Sequence, residues 1–296
     1  MKKLPASIKL LVIDIDGTLL TPEGKITART LAALTAAQQA GIVVTLATAR
    51  RYCNTAKIAT ELGLDIPLIL YDGALIIKHP DATIIHSHTL QAHVAQQAVD
   101  LLVEHNIQPV VHPATGLAEE IWTGPSHLDN LWVEAYFTTF PEQTHRMPYK
   151  MLCSTHPDPL RVVAFTEEER ILEVIPEVST LPCSWTTIKR GNYGCAELTI
   201  MDKECSKASA MTDLARYLNI PLQQVMAIGD NNNDIQMLQT AGWGVAMGHA
   251  SGAVKAAAQA ITASNWEDGV AQAIERYALC SATSVASNCL SRLTCL

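Results

Sequence analysis

Residues 10–20 read Leu-Leu-Val-Ile-Asp-Ile-Asp-Gly-Thr-Leu-Leu. The stretch Leu10–Ile13 is wholly apolar, which is how a strand covered on both faces of a parallel sheet reads. Asp14 and Asp16 follow where that strand has to end. In extended backbone, positions i and i+2 point the same way, so both carboxylates can reach one spot beyond the sheet edge. Gly17 then lets the chain turn. A buried parallel strand needs parallel partners joined by crossovers, so this one stretch points to an α/β fold. The plain alternative is a strand ending in a solvated acidic turn; the rest of the chain favours a metal and nucleophile site instead.

The partners follow in order. The pattern predicts a helix over 27–40, capped by Thr27 and stopped by Gly41, then a strand over 42–47, a helix over 50–62 and a strand over 66–71. This rhythm makes two right-handed βαβ units. It breaks near residue 75, where 75–90 alternates as a hairpin. Helices are expected at 92–105, 126–138 and 167–176, and short strands at 109–112, 120–122, 150–154, 161–165 and 183–188. The α/β rhythm resumes with a strand over 195–201, a helix over 207–218 capped by Ser206, and strands at 224–229, 242–247 and 260–262 interleaved with helices. The expected architecture is a Rossmann-like, doubly wound parallel sheet built from 1–83 and 190–280. An α+β cap is inserted at 84–189, and a loosely ordered Ser/Thr-rich tail covers 281–296. Nine of the ten histidines fall between His79 and His156, a compositional shift that supports the inserted domain.

Composition narrows the function. With 48% apolar and 17% charged residues, the 296-residue chain is globular. The net charge of −8 and the lack of any Lys/Arg run argue against a nucleic-acid groove. A site for an anion on such a background needs a bound cation. No apolar run reaches membrane-spanning length, and Met1-Lys2-Lys3-Leu4-Pro5 lacks the apolar core of a signal peptide, so a cytoplasmic protein without a membrane partner is expected. The eight cysteines include no C-x-x-C pair and read as free thiols.

Four polar clusters should meet at the carboxyl edge of the sheet: Asp14-x-Asp16, Thr48 with Arg50, Lys207 at a helix start, and Gly229-Asp230-Asn231-Asn232-Asn233-Asp234. Asp14, Asp230 and Asp234 form an all-oxygen set suited to Mg²⁺ and not to zinc. Thr48, Lys207 and Asn233 offer donors to a tetrahedral oxyanion. A carboxylate nucleophile, a metal and such donors describe phosphoryl transfer.

These stretches resemble the haloacid dehalogenase superfamily of phosphatases, in particular its Cof-type branch. The matching segments are IDIDGTLL (13–20), TLATAR (45–50), YDGALI (71–76), SKASAM (206–211), GDNNNDIQML (229–238), GVAMGHA (244–250) and SNWEDGVAQAI (264–274). The resemblance implies Asp14 as the nucleophile forming an aspartyl-phosphate and Asp16 as the acid–base group. It implies Mg²⁺ held by Asp14, Asp230 and the main-chain carbonyl of Asp16, with Asp234 assisting directly or through water. It implies phosphate binding by Thr48, Ala49, Arg50, Lys207 and Asn233. The expected substrate is a small phosphorylated metabolite: a sugar phosphate, a phosphorylated cofactor or a nucleotide. A phosphomutase or phosphotransferase using the same intermediate, and a non-hydrolytic phospho-acceptor, are the alternatives. The family commonly has Gly at the positions of Ala49 and Ala208, and Asn at those of Asp72 and His249. Asp72 thus brings a negative charge that the family pattern leaves unexplained. Lys203 competes with Lys207 for the lysine role. His86 and His88, on one strand face, read as a solvated hairpin. His112, His127 and Trp122 are read as cap packing rather than pocket lining, and Ser154 with His156 lacks a third partner for hydrolase chemistry.

Overall fold

The computed structural model describes residues 5, 7–189, 191 and 193–279. The expected tail at 281–296, with Cys289 and Cys295, lies outside the described residues, as does Cys280. The chain opens with β1 (Leu10–Ile13), an irregular turn over Ile15–Leu19, α1 (Ala28–Gln39), β2 (Val43–Leu46), α2 (Tyr52–Glu61) and β3 (Pro67–Leu70). Thr27 caps α1, its hydroxyl accepting from the Thr30 amide at 3.1 Å. β3 runs into a tight corner at Tyr71–Gly73 and is followed by the antiparallel β4 (Leu75–Lys78) and β5 (Thr83–Ser87).

The chain then leaves for the cap: α3 (Ala92–Glu104), β6 (Val110–His112), β7 (Ile121–Thr123), α4 (Leu131–Thr139), β8 (Thr144–Arg146), β9 (Arg161–Thr166), α5 (Glu168–Val178), β10 (Cys183–Ile188) and β11 (Ala196–Asp202). Its six strands form one sheet in the order β10-β11-β9-β6-β7-β8. The strands alternate faces. Val111, Val162, Ala164, Leu198 and Ile200 pack under α3 and α5, whereas Val110, Val163 and Phe165 pack against Val133, Tyr136 and Phe137 of α4 on the other face.

The chain returns through α6 (Lys207–Tyr217), β12 (Val225–Gly229), α7 (Ile235–Thr240), β13 (Trp243–Ala246), α8 (Gly252–Ala257), β14 (Ala260–Ile261) and α9 (Gly269–Ala273). The core sheet has the order β14-β13-β12-β1-β2, all parallel. A parallel bridge between Ala47 and Ile69 carries it on toward β3. β1 is central, and its four residues are wholly buried. Leu11 and Ile13 face α1 and α9, while Leu10 and Val12 face α6, α7 and α8. This is the two-faced burial that the run 10–13 announces.

Several boundaries differ from expectation. The strand expected at 195–201 in the core is β11 of the cap, paired with β9 and β10; an apolar strand run reads alike in either sheet. The strand Thr83–Ser87 stays with β3 and β4, so the crossings between the two bodies lie after Ser87 and after Asp202. The helix expected over 126–138 is a single turn at Ser126–Leu128 followed by α4, because Asn130 caps the latter by accepting from the Trp132 and Val133 amides. The segment 150–154 is a turn and not a strand: the Cys153 amide donates to the Gln96 side chain of α3 at 3.0 Å. β8 was not expected.

Candidate active site

The site is built at the carboxyl ends of β1, β2 and β12. The Asp14 amide continues the ladder to the Ile228 carbonyl at 3.0 Å, which fixes where its side chain emerges. Gly17, at φ +80°, turns the chain against Asp230, and a Cβ there would strike that carboxylate. The Thr18 hydroxyl donates to Asp230 Oδ1 at 2.8 Å. Asp14, Asp230 and Asp234 converge as one group of carboxylates.

Lys207 enters this group from the first turn of α6. Ser206 caps that helix through reciprocal bonds with Ser209, and Gly73 lets its first turn approach the Tyr71–Gly73 corner, since a Cβ at Gly73 would meet the Ser206 carbonyl. The ammonium is 1% exposed and donates to Asp14 Oδ1 at 2.6 Å and Asp234 Oδ1 at 2.7 Å. Burial alone would lower its pKa, but Asp14 and Asp234 override that and hold it above the ordinary lysine range. Burial also raises the Asp14 carboxyl; Lys207 opposes this, while Asp234 and Asp230 add to it. The competitor Lys203 is exposed.

Asp234 has a different task from Asp14. Its Oδ2 accepts from the Asp230 and Asn231 amides, each at 3.0 Å, and its Oδ1 is taken by Lys207. Both of its oxygens are engaged within the protein, so it positions the loop and the lysine, while its carboxylate stays within the group that Asp14 and Asp230 form. His249 Nε2 stands 3.6 Å from Asp230 Oδ2.

Arg50 and Asp16 form a bidentate pair, with Nε to Oδ2 at 2.7 Å and Nη2 to Oδ1 at 2.6 Å. The guanidinium expected on phosphate thus holds the expected acid–base group. Thr48 is buried, its hydroxyl accepting from the Arg50 amide at 3.1 Å. The Ala49 carbonyl accepts from Arg161 Nη2 at 3.0 Å. Asn233 Nδ2 donates to Asp72 Oδ1 at 2.8 Å, leaving Asn233 Oδ1 buried without a partner.

Asp72 finds its explanation in the cap. Arg161, the first residue of β9, donates to Asp72 Oδ2 at 3.0 Å. Its Nε donates to His112 Nδ1 at 3.0 Å, and His112 Nε2 faces the Tyr136 hydroxyl at 2.6 Å. Because Nδ1 accepts, the proton of the neutral ring sits on Nε2. Burial, with Arg161 and Arg51 beside it, pushes His112 well below its ordinary pKa. Tyr71 and Asp72 both sit in the left-handed region, at φ 52° and 57°, a conformation that costs about 1–3 kcal/mol per residue and gathers at functional sites.

A second core–cap contact was not foreseen. The Glu119 carboxylate of the cap accepts from the Tyr52 amide at 2.7 Å and the Cys53 amide at 2.9 Å, at the N-terminus of α2, and from the Tyr71 hydroxyl at 2.7 Å. Arg51 Nη2 donates to the Glu119 carbonyl, while Arg51 Nε and Nη1 are buried without hydrogen-bond partners. Its guanidinium lies 4.3 Å from the centre of the Phe140 ring.

Between core and cap lies a cavity of about 930 Å³, floored by Asp14, Asp16, Thr48 and Asp230 and roofed by Arg161, Phe165 and Tyr193 among others. His112 lines it, contrary to its reading as packing; His127 and Trp122 do not. His127 packs on Tyr149, and Trp122 on His156. Ser154 donates to the Lys150 carbonyl. A signal for Arg161 was present in the sequence, as a charged residue opening an otherwise apolar strand.

A family model described as haloacid dehalogenase-like hydrolase matches residues 11–274. The chain is 28% identical over 281 residues to pyridoxal phosphate phosphatase YbhA of Escherichia coli (strain K12), covering 90% of this chain and 97% of that protein. It is 30% identical over 275 residues to 5-amino-6-(5-phospho-D-ribitylamino)uracil phosphatase YcsE of Bacillus subtilis (strain 168), covering 92% and 96%. Among solved structures, the HAD subclass IIB sugar phosphatase BT4131 matches with a TM-score of 0.76 at 25% identity, over 91% of this chain and 98% of that one.

Proposed function

The chain belongs to the haloacid dehalogenase-like hydrolases, in their Cof-type phosphatase branch, and from that premise we propose that it hydrolyses a small phosphomonoester with Mg²⁺ through an aspartyl-phosphate on Asp14. The observation that carries this reading is the convergence of Asp14, Asp230, Asp234 and Lys207, of which Asp14 and Asp230 line the floor of a cavity with Asp16 at its side while Asp234 and Lys207 are buried behind them. Three carboxylates face one ammonium in that cluster, which leaves two negative charges uncompensated. An all-oxygen set with that charge fits a hard divalent cation, held by Asp14, Asp230 and the Asp16 carbonyl. Bound there, Mg²⁺ supplies charge neutralisation for the phosphoryl oxygens.

The protein groups divide the rest. A carboxylate oxygen of Asp14 forms a bond to phosphorus as the ester P–O bond breaks. The leaving oxygen takes the proton from the Asp16 carboxyl. Asp16 then takes a proton from water, whose oxygen attacks phosphorus, and phosphate departs with Asp14 restored. Lys207 keeps Asp14 oriented, and Thr48 and the Arg50 region line the phosphoryl pocket. Engagement of Arg50 by phosphoryl oxygens releases Asp16 from its ion pair. The cap excludes bulk water and reads the leaving group.

Two relatives carry names for phosphatases of pyridoxal phosphate and of a phosphoribitylamino-uracil. For this chain, the aromatic roof of Tyr136, Phe165 and Tyr193 supports a leaving group with a planar ring. The test is phosphate release from a panel of ring-bearing and sugar phosphates with Mg²⁺. Turnover by the wild-type protein and its loss in Asp14→Asn are expected. Wild-type-like turnover by Asp14→Asn would remove Asp14 as nucleophile.

A further inference from the structure

We propose that His86, His88 and Asp213 form a second metal site, of the zinc class, where the chain first passes from core to cap. His86 is the penultimate residue of the edge strand β5 and His88 follows two residues later, so both rings project from one face. Asp213 comes from α6, across from that face. His86 Nε2 and His88 Nε2 lie 3.2 Å apart. Asp213 Oδ2 lies 3.4 Å from His88 Nε2 and 3.8 Å from His86 Nε2.

The size of this triangle is what a metal would select. Zinc–nitrogen bonds of about 2.0–2.1 Å in a tetrahedron put ligand atoms roughly 3.3 Å from one another. Two imidazole nitrogens and one carboxylate oxygen at 3.2, 3.4 and 3.8 Å form one face of such a tetrahedron. His86, with its side chain 45% exposed, leaves the fourth position to water. Without a metal the three atoms meet through His86 Nε2 and His88 Nε2 at 3.2 Å and His88 Nε2 and Asp213 Oδ2 at 3.4 Å. The other Asp213 oxygen is occupied: Arg216 Nη1 donates to Oδ1 at 2.8 Å, which turns Oδ2 toward the histidines. Imidazole ligands separate this site from the acidic cluster. It takes Zn²⁺, Co²⁺ or Ni²⁺, and Mg²⁺ does not compete for it.

The location gives the site a consequence. The His88 amide donates to the Ala74 carbonyl at 2.8 Å, and the Leu90 amide to the Pro159 carbonyl of the cap at 2.7 Å, so His88 is the last core anchor before the crossing. Asp213 shares α6 with Lys207, which holds Asp14. A metal bridging β5 and α6 therefore fixes the root of the cap to the helix that supplies the site lysine.

The full-length protein, stripped of metal, reduced and held in excess Mg²⁺, is titrated with Zn²⁺ by calorimetry and with Co²⁺ by visible absorption. Wild type is expected to bind one zinc equivalent more than H86Q/H88Q, and Asp213→Asn to weaken that equivalent at least tenfold. Asp230→Asn should retain it, and the Co²⁺ band should vanish in H86Q/H88Q. Equal zinc stoichiometry in wild type and H86Q/H88Q overturns the proposal. Imidazole proton resonances of the wild-type protein give a reading that needs no variant. Zinc must perturb two histidines that show a mutual through-space contact, and failure to do so also overturns it.

Discussion

Lys207 shows how a single side chain organises the site. Its ammonium is buried between Asp14 and Asp234, and removing one partner of such a buried set costs about 3–5 kcal/mol. Lys207→Met should therefore lower the thermal midpoint and abolish most turnover, and added Mg²⁺ should restore part of the stability by replacing the missing positive charge. Calorimetry with and without Mg²⁺ checks both. His112 gives a pH test. Its pKa is low in the folded protein and ordinary, near 6.5, in the unfolded chain. Below that value the unfolded chain binds a proton that the folded one refuses, so stability falls as the pH drops through 6.5 toward the folded pKa. His112→Gln should flatten this slope by about 1.4 kcal/mol per pH unit, read from thermal midpoints between neutral and mildly acidic pH. The site aspartates, Thr48 and Lys207 were legible in the sequence because strand ends and helix caps fix where they emerge. The Asp72–Arg161 pair was not, because its partners are 89 residues apart on different bodies.

Among the described residues, cap is tied to core by β9 through Arg161 on Asp72 and by the β6–β7 connection through Glu119 on the start of α2, besides β10 through Ser184 on the Cys205 carbonyl. The first is a buried ion pair. Asp72→Asn keeps the shape and a hydrogen bond but leaves Arg161 without its carboxylate. Faster amide exchange at β9 and a raised KM are expected, with a smaller change in kcat; unchanged exchange would show that the pair does not hold the cap. Glu119→Gln weakens the cap of α2 and should expose the Tyr52 and Cys53 amides to exchange. The core strands could be read from periodicity because a strand covered on both faces is a continuous apolar run. β11 was assigned to the wrong body for the same reason: its run, Ala196–Asp202, carries no mark of which sheet it joins. The 126–138 segment, read as one helix, is split because Asn130 bonds the amides that a continuous helix would use.

At the scale of the molecule, the site is a seam. Its floor carries the carboxylates of the core and its roof the Arg161 guanidinium and aromatic rings of the cap. Removal of divalent cation should lower the stability of the chain by about 2.7 kcal/mol relative to Mg²⁺ at a hundred times its Kd, read as a drop in its thermal midpoint. A midpoint indifferent to Mg²⁺ would contradict the charge balance of Asp14, Asp230, Asp234 and Lys207. Among the described residues no helix is long and apolar enough to cross a membrane.

Strand β9 carries two interleaved instructions. Arg161, Val163 and Phe165 face the cavity, and Val162 and Ala164 face the helices of the cap. The odd positions therefore carry two duties, lining the cavity and packing against α4 or bonding the core, while the even positions serve the helices of the cap alone. A change at Arg161, Val163 or Phe165 is expected to alter the cavity wall and the hold of the cap together, on one six-residue strand.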